Sequence, residues 1–155
     1  MGLNSLFDLA IELEKKVSDC YERMSGLATD EGLKKDLVKL AQEEIGHANL
    51  LRTGKSFSAR NPEFFSQGAM DLPLLENCLR GISELLDQLG AGTITLQAAL
   101  GRIIALEYFC EKAHFSTLAH IEEPSLKPLF EGLARDDADH GERVSQLLQK
   151  YLSPV

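Results

Sequence analysis

Leu40-Ala41-Gln42-Glu43-Glu44-Ile45-Gly46-His47 is the stretch that decides the fold, because an apolar stripe at helical spacing runs straight into two polar residues. Leu33, Leu37 and Leu40 recur four and three apart, as on the core-facing side of a helix, and the same stripe continues through Glu44 and His47 to Leu51. Side chains three apart share a helix face, so a carboxylate and an imidazole are aimed together at one interior point. Leu133-Ala134-Arg135-Asp136-Asp137-Ala138-Asp139-His140 repeats the arrangement, with Leu126, Phe130 and Leu133 leading to Asp137, His140 and then Val144.

Two further helical stripes each carry one acid in the same predicament. Glu14 stands between Ala10, Val17 and Tyr21, and Glu107 between Ile103, Cys110 and His114. Glu14 lies 30 residues before Glu44 and 33 before His47, and Glu107 lies 30 before Asp137 and 33 before His140. The chain is therefore a duplicated helical hairpin, offset by 93 residues. With 24 acids in 155 residues, four chosen stripe positions would all be acidic by chance about 0.0006 of the time, before a roughly tenfold allowance for searching, so the coincidence calls for a cause.

The apolar spacing predicts helices over about Ser5–Leu27, Glu31–Leu51, Leu96–Ala119 and Pro124–Tyr151, with Pro124 and Pro128 in the first turn of the last, where no backbone N–H is lost. Thr53 to Asp71 is rich in Ser, Gly, Asn and Pro and reads as a long connection. A linker helix follows from about Pro73 to Leu89, with Leu75, Cys78, Leu79, Ile82, Leu86 and Leu89 on one face and Gly90-Ala91-Gly92 as its stop. Its stripe carries no acid, a useful internal contrast. No segment alternates as a strand would, so the expected fold is all-α. It is one domain over residues 1–155, a four-helix bundle with repeat halves at about 5–51 and 96–151 and a crossover at 52–95.

A net charge of -8 with no basic cluster argues against nucleic acid or an anionic membrane surface as partner. There is no basic-then-apolar leader at Met1 to Ala10, no myristoylation signal at Gly2, and no stretch long and apolar enough to span a bilayer. Cys20, Cys78 and Cys110 form no CxxC and cannot all pair. These features suit a reducing, cytoplasmic setting.

A lone buried carboxylate costs several kcal/mol or stays protonated, and four together repel one another unless cations neutralise them. Two divalent ions would do so: four carboxylates and two neutral imidazoles leave them close to charge balance, with positions open for water or oxygen species.

These pieces resemble the rubrerythrins and their ferritin-like relatives, the di-iron carboxylate proteins. The matching residues are Ala10-Ile11-Glu12-Leu13-Glu14 followed by Tyr21, Glu44-x-x-His47 after Leu40-Ala41-Gln42-Glu43, Glu107 in Ala105-Leu106-Glu107, and Leu133-Ala134 leading to Asp137-x-x-His140. The resemblance implies a ferritin-like four-helix bundle in which Glu14, Glu44, His47, Glu107, Asp137 and His140 ligate two metal ions. Iron is implied first, with zinc or manganese as alternatives, and Glu44 and Asp137 hold the usual bridging positions. It further implies a non-haem oxidoreductase that reduces hydrogen peroxide or dioxygen. The electrons would come from an external donor such as a rubredoxin or other redox protein, because the two CxxC pairs of a rubredoxin-like domain are lacking. A homodimer is expected. An iron-storage or ferroxidase protein and a redox-inert structural metal site are the alternatives. Two departures stand out: Asp137 replaces the usual Glu, and Cys110 stands where peroxidase-type members carry a further acid.

The remaining polar residues divide as follows. Tyr21 either donates to a ligand carboxylate or is a plain core tyrosine. His114, at the matching place in the second repeat, is expected to be capped or partly exposed, with a donor role or seventh ligand as the sharper alternative. His120, near a helix C-terminus, is assigned no chemistry. Cys110 is expected to be a small core residue. Glu12, Glu43, Glu111, Asp136 and Glu142 are read as solubilising charges on other faces, and the imidazoles are expected to find their outer hydrogen bonds in the bundle interior.

Overall fold

Apolar periodicity becomes five α-helices in the computed structural model, which describes residues 3–64, 71–118, 124 and 126–152. They are α1 (Leu3–Leu27), α2 (Glu31–Arg60), α3 (Leu72–Ala91), α4 (Leu96–Leu118) and α5 (Lys127–Leu147), and no strand occurs among the described residues. A 3-10 turn, Pro62–Phe64, follows α2, and a π turn, Leu148–Leu152, follows α5. Asp30 and Asp71 start α2 and α3 by accepting the backbone N–H of Leu33 at 2.9 Å and of Leu74 at 3.0 Å. Gly92 closes α3 in the left-handed region at φ 67°, a conformation a side chain resists.

Two boundaries differ from the periodic reading. α2 runs nine residues past Leu51, to Arg60, so the connection expected from Thr53 begins as helix. The inward face simply continues through Leu51, Gly54 and Ser58, but with small residues that hydropathy does not register. A Cβ on Gly54 would stand 3.0 Å from the Phe7 ring, which is why the smallest residue belongs there. At the other boundary, Pro124 lies in a turn ahead of α5, and Pro128 alone occupies the first helical turn. Had the helix begun at Pro124, the Pro128 ring would have met the carbonyl one turn back, with no N–H to offer. His120 and the expected helix end at Ala119 lie outside the described residues.

Contacts between side chains set the helix directions. Phe7 packs on Gly54 and Ser18 Oγ donates to the Ala41 carbonyl at 2.8 Å, so α1 and α2 run antiparallel. Gly141 faces Glu107 and His114 meets Asp137, so α4 and α5 do the same. α1 also meets α4, through Tyr21 and Glu107 and through Glu14 and His114, while α2 meets α5 through Glu44 and His140. The order around the bundle is therefore α1, α2, α5, α4, each neighbour antiparallel to the next. α2 and α4 run in the same direction, so the chain must travel back the length of the bundle between them. α3, at 20 residues about 30 Å long, makes that return along the seam between α1 and α4. It buries Leu75, Cys78, Ile82, Leu85 and Leu89 there, within the same continuous core as the other four helices.

Among the described residues no helix is long and apolar enough to cross a membrane.

Candidate metal centre

All six residues with predicted ligand roles face the middle of the bundle, and none is more than 3 % exposed. Each helix delivers its donors for the reason seen in the stripes: a position surrounded by core residues on its own helix has nowhere else to point. Glu44 lies at the centre, its Oε2 3.0 Å from His47 Nδ1 and its Oε1 2.6 Å from His140 Nδ1. The two imidazoles stack, with ring centroids 5.2 Å apart and planes 17° from parallel. Glu14 Oε2 lies 3.6 Å from His47 Nδ1, and Asp137 Oδ1 lies 3.7 Å from the same nitrogen. Glu107 Oε1 accepts the Tyr21 hydroxyl and stands 3.8 Å from His140 Nδ1.

A seventh donor completes the cluster. His114, expected to be capped or partly exposed, is buried: its Nδ1 is 2.6 Å from Asp137 Oδ2 and its Nε2 3.4 Å from Glu14 Oε1. The signal was present in its register, since it lies seven residues after Glu107 as Tyr21 lies seven after Glu14. Donor atoms gather into two sets, within each of which they lie no more than 4.8 Å apart. One set is Glu44, His47, Asp137 and His140, and the other is Glu14, His114 and Asp137, with Asp137 common to both. Glu107 belongs to neither set.

Both core imidazoles turn Nδ1 inward and Nε2 outward. His47 Nε2 is 3.2 Å from Asp136 Oδ2, and His140 Nε2 is 2.8 Å from Glu43 Oε2. Glu43 is held in turn by Arg143 Nη1 at 2.7 Å. The outer partners therefore come from the rim, not from the interior as expected, and Glu43 and Asp136 are more than solubilising charges. An outer carboxylate that holds one ring N–H leaves the other nitrogen free to ligate. These bonds are reciprocal under the duplication: His47 reaches the acid before Asp137, and His140 reaches the acid before Glu44. Tyr21 with Glu107 and His114 with Glu14 form a second reciprocal pair. The two halves differ where Asp136 and Asp137 are each one methylene shorter than Glu43 and Glu44 and where His114 stands opposite Tyr21, and the altered residues Asp137 and His114 touch each other.

The clustered acids and imidazoles perturb one another strongly. Burial, reinforced by neighbouring carboxylates, pushes Glu44 and Glu107 well above the usual carboxylate range, and burial also raises Asp137 despite His114 beside it. Burial opposes the charge on Glu14 as well, but His114 and His47 outweigh it and hold that carboxyl well below its usual range. Burial would lower the two imidazoles, yet carboxylates drive His47 up to about 12 and His114 up to about 10. Burial, followed by the charges of Glu107 and Glu44, raises Tyr21, so its proton stays on the phenol.

Glu14 Oε1 and Asp137 Oδ1 are buried and make no hydrogen bond. Buried carboxylate oxygens without a hydrogen bond are costly; an imidazole nitrogen stands 3.4 Å from the first and 3.7 Å from the second, and a bound cation would satisfy both more fully. Oxygen and imidazole donors at this spacing fit divalent transition metals, and the buried cluster could hold such an ion. A pocket of about 520 Å³ between α2 and α5, lined by Glu43, Gly46, His47, Leu50, Asp136, Asp139, His140 and Arg143, opens onto the outer edge of the two imidazoles. Cys110 is buried one turn from both Glu107 and His114 but joins neither donor set. Glu12 and Glu142 are exposed, as expected for solubilising charges.

Comparison of the chain with protein-family models, with curated proteins and with solved structures finds no match.

Proposed function

We propose that this chain is a ferritin-like di-metal protein of the rubrerythrin kind, an oxidoreductase that reduces hydrogen peroxide or dioxygen. The observation that carries the reading is the pair of orphaned carboxylate oxygens, Glu14 Oε1 and Asp137 Oδ1, buried within a cluster of acids and imidazoles from four helices. The helix order, with α2 and α4 codirectional and one helix-bearing crossover, supports the ferritin-like assignment.

In this reading Glu14, Glu44, His47, Asp137 and His140 would hold the metals, with His114 as a further nitrogen ligand. Glu107 completes the set from α4. Two iron ions bound there would supply the two electrons that a peroxide needs. The protein's own groups do the rest. Glu43 and Asp136 keep the protons on the outer imidazole nitrogens and so leave Nδ1 of His47 and His140 for ligation. Tyr21 keeps the proton on its hydroxyl and donates it in a buried hydrogen bond to Glu107 Oε1. The α2–α5 pocket admits a small oxidant, while the burial of the cluster excludes larger molecules. Electrons return from an external redox protein, and a homodimer is the proposed assembly.

Metal analysis of freshly purified protein, paired with its near-ultraviolet absorption before and after peroxide, tests this. About two irons per chain and a new near-ultraviolet band on peroxide addition are expected. Iron-loaded protein that responds to neither peroxide nor dioxygen would sink the redox function. One observation favours a second reading in that event: His114 adds a third imidazole, and a nitrogen-richer site beside a shortened acid suits redox-inert zinc held for structure.

A further inference from the structure

Outside the acid–imidazole cluster, the described residues bring one other pair of reactive side chains together. Cys78 of α3 and Cys110 of α4 are both free and both buried, and the antiparallel packing that sets Gly81 against Leu106 brings them to the same level of the α3–α4 seam. The helices can approach closely here because Gly81, one turn beyond Cys78, leaves space that Leu106 fills: a Cβ at Gly81 would stand 3.0 Å from Leu106 Cδ2. Cys78 also lines a pocket of about 280 Å³ on the outer side of this seam, with Leu74, Asn77, Gly81, Leu106 and Phe109. From outside inward the order is pocket, Cys78, Cys110. Cys20 differs in each respect: its Sγ points 4.0 Å toward the Ile82 carbonyl on another seam, and burial pushes its thiol up to about 12.

We propose that Cys78 and Cys110 form a reversible disulfide, a two-electron redox site on the α3–α4 seam that hydrogen peroxide oxidises and a small-molecule thiol entering through the pocket reduces. The Cys78 sulfur, as thiolate, attacks one peroxide oxygen; the O–O bond breaks, Cys78 becomes a sulfenic acid, and the departing hydroxide takes up a proton as water. The Cys110 sulfur then attacks the Cys78 sulfur, the S–O bond breaks, and a second water leaves with the Cys110 proton. The two thiols have lost two electrons and two protons, and one peroxide has become two waters. In the return direction a small thiolate attacks Cys78 and frees Cys110 as a thiol, and a second small thiol releases Cys78 as the mixed disulfide resolves. Cys78 lines the pocket and Cys110 does not, so the Cys78 sulfur is the one that an entering oxidant or thiol reaches first. None of these steps needs a metal ion, so the pair stands or falls separately from the metal centre.

The test exposes the full chain, both metal-loaded and chelated, to stoichiometric hydrogen peroxide, quenches in acid, alkylates after unfolding and maps the peptides. Labelled thiols are expected to fall from three to one, the survivor being Cys20, with a linked peptide pair containing Cys78 and Cys110. Dithiothreitol should restore all three. Cys20→Ala should leave the link intact, whereas Cys78→Ser and Cys110→Ser should each abolish it. Retention of three thiols, a link involving Cys20, or oxidation of Cys78 beyond the sulfenic acid without a link would each overturn the proposal. Peptide mapping of the unmutated chain decides the matter even if a serine variant fails to fold, and metal content measured on the same samples reports on the metal centre independently.

Discussion

Glu43 and Asp136 each steady an imidazole contributed by a different helix, and their contributions should not be equal. Glu43 is about one-third exposed and clamped by Arg143, whereas Asp136 is well over half exposed and makes the longer bond. Glu43→Ala is expected to weaken metal binding about 10- to 100-fold, with a smaller loss for Asp136→Ala. Competition against a chromophoric chelator measures both, and equal or absent losses would contradict the outer-carboxylate role. The buried donors predict a pH effect with a definite sign. Carboxylates raise His47 to about 12 and His114 to about 10, so both imidazoles carry a second proton at neutral pH, and burial shifts Glu44 and Glu107 in the same upward direction. A ligand atom must give up its proton to a metal, so uptake releases protons and affinity climbs as pH rises through neutrality. Calorimetric titration with Zn²⁺ in buffers of different ionisation enthalpy reads the release directly, and binding without it would show that these donors are not ligands. The six acids and histidines were legible because each interrupts an apolar stripe on its own helix. Glu43 and Asp136 were not, because an acid beside a stripe looks like any solvated charge until its partner arrives from another helix.

α2 shows how far hydropathy carries a helix. The pattern lapses after Leu51, yet the helix goes on, with Gly54 and Ser58 buried and Lys55 paired with Asp8 of α1. A hydropathy stripe registers large apolar groups, and here the inward face is deliberately small so that Phe7 can approach. Gly54→Leu is therefore expected to destabilise the fold by about 1–3 kcal/mol through overpacking, although a helix otherwise gains from losing a glycine. Thermal unfolding followed by circular dichroism measures it, and an unchanged or raised melting temperature would mean that Phe7 can move aside. Pro128 teaches the converse lesson about α5: with two prolines four apart, only the later one can sit in a first helical turn, and that incompatibility set the boundary which periodicity placed too early.

Across the bundle, the metal-binding reading makes a simple thermodynamic demand. A cation that binds the assembled cluster and not the unfolded chain must stabilise the fold, by about 2.7 kcal/mol at a concentration one hundred times the dissociation constant. Chelation is expected to leave far-ultraviolet helicity in place, because the apolar core is continuous without metal, while lowering the melting temperature. Identical melting curves before and after chelation would mean that no ion occupies the buried site. The sequence alone determined the helical character, the duplication by 93 residues and the inward aim of six donors, because those features are written in local periodicity and register. Tertiary packing alone decided which donors share a point, why His114 fits beside the shortened Asp137, which carboxylates hold the outer imidazole nitrogens, and that Cys78 stands level with Cys110. Each of those contacts joins side chains of different helices, and distance between helices has no period along a chain.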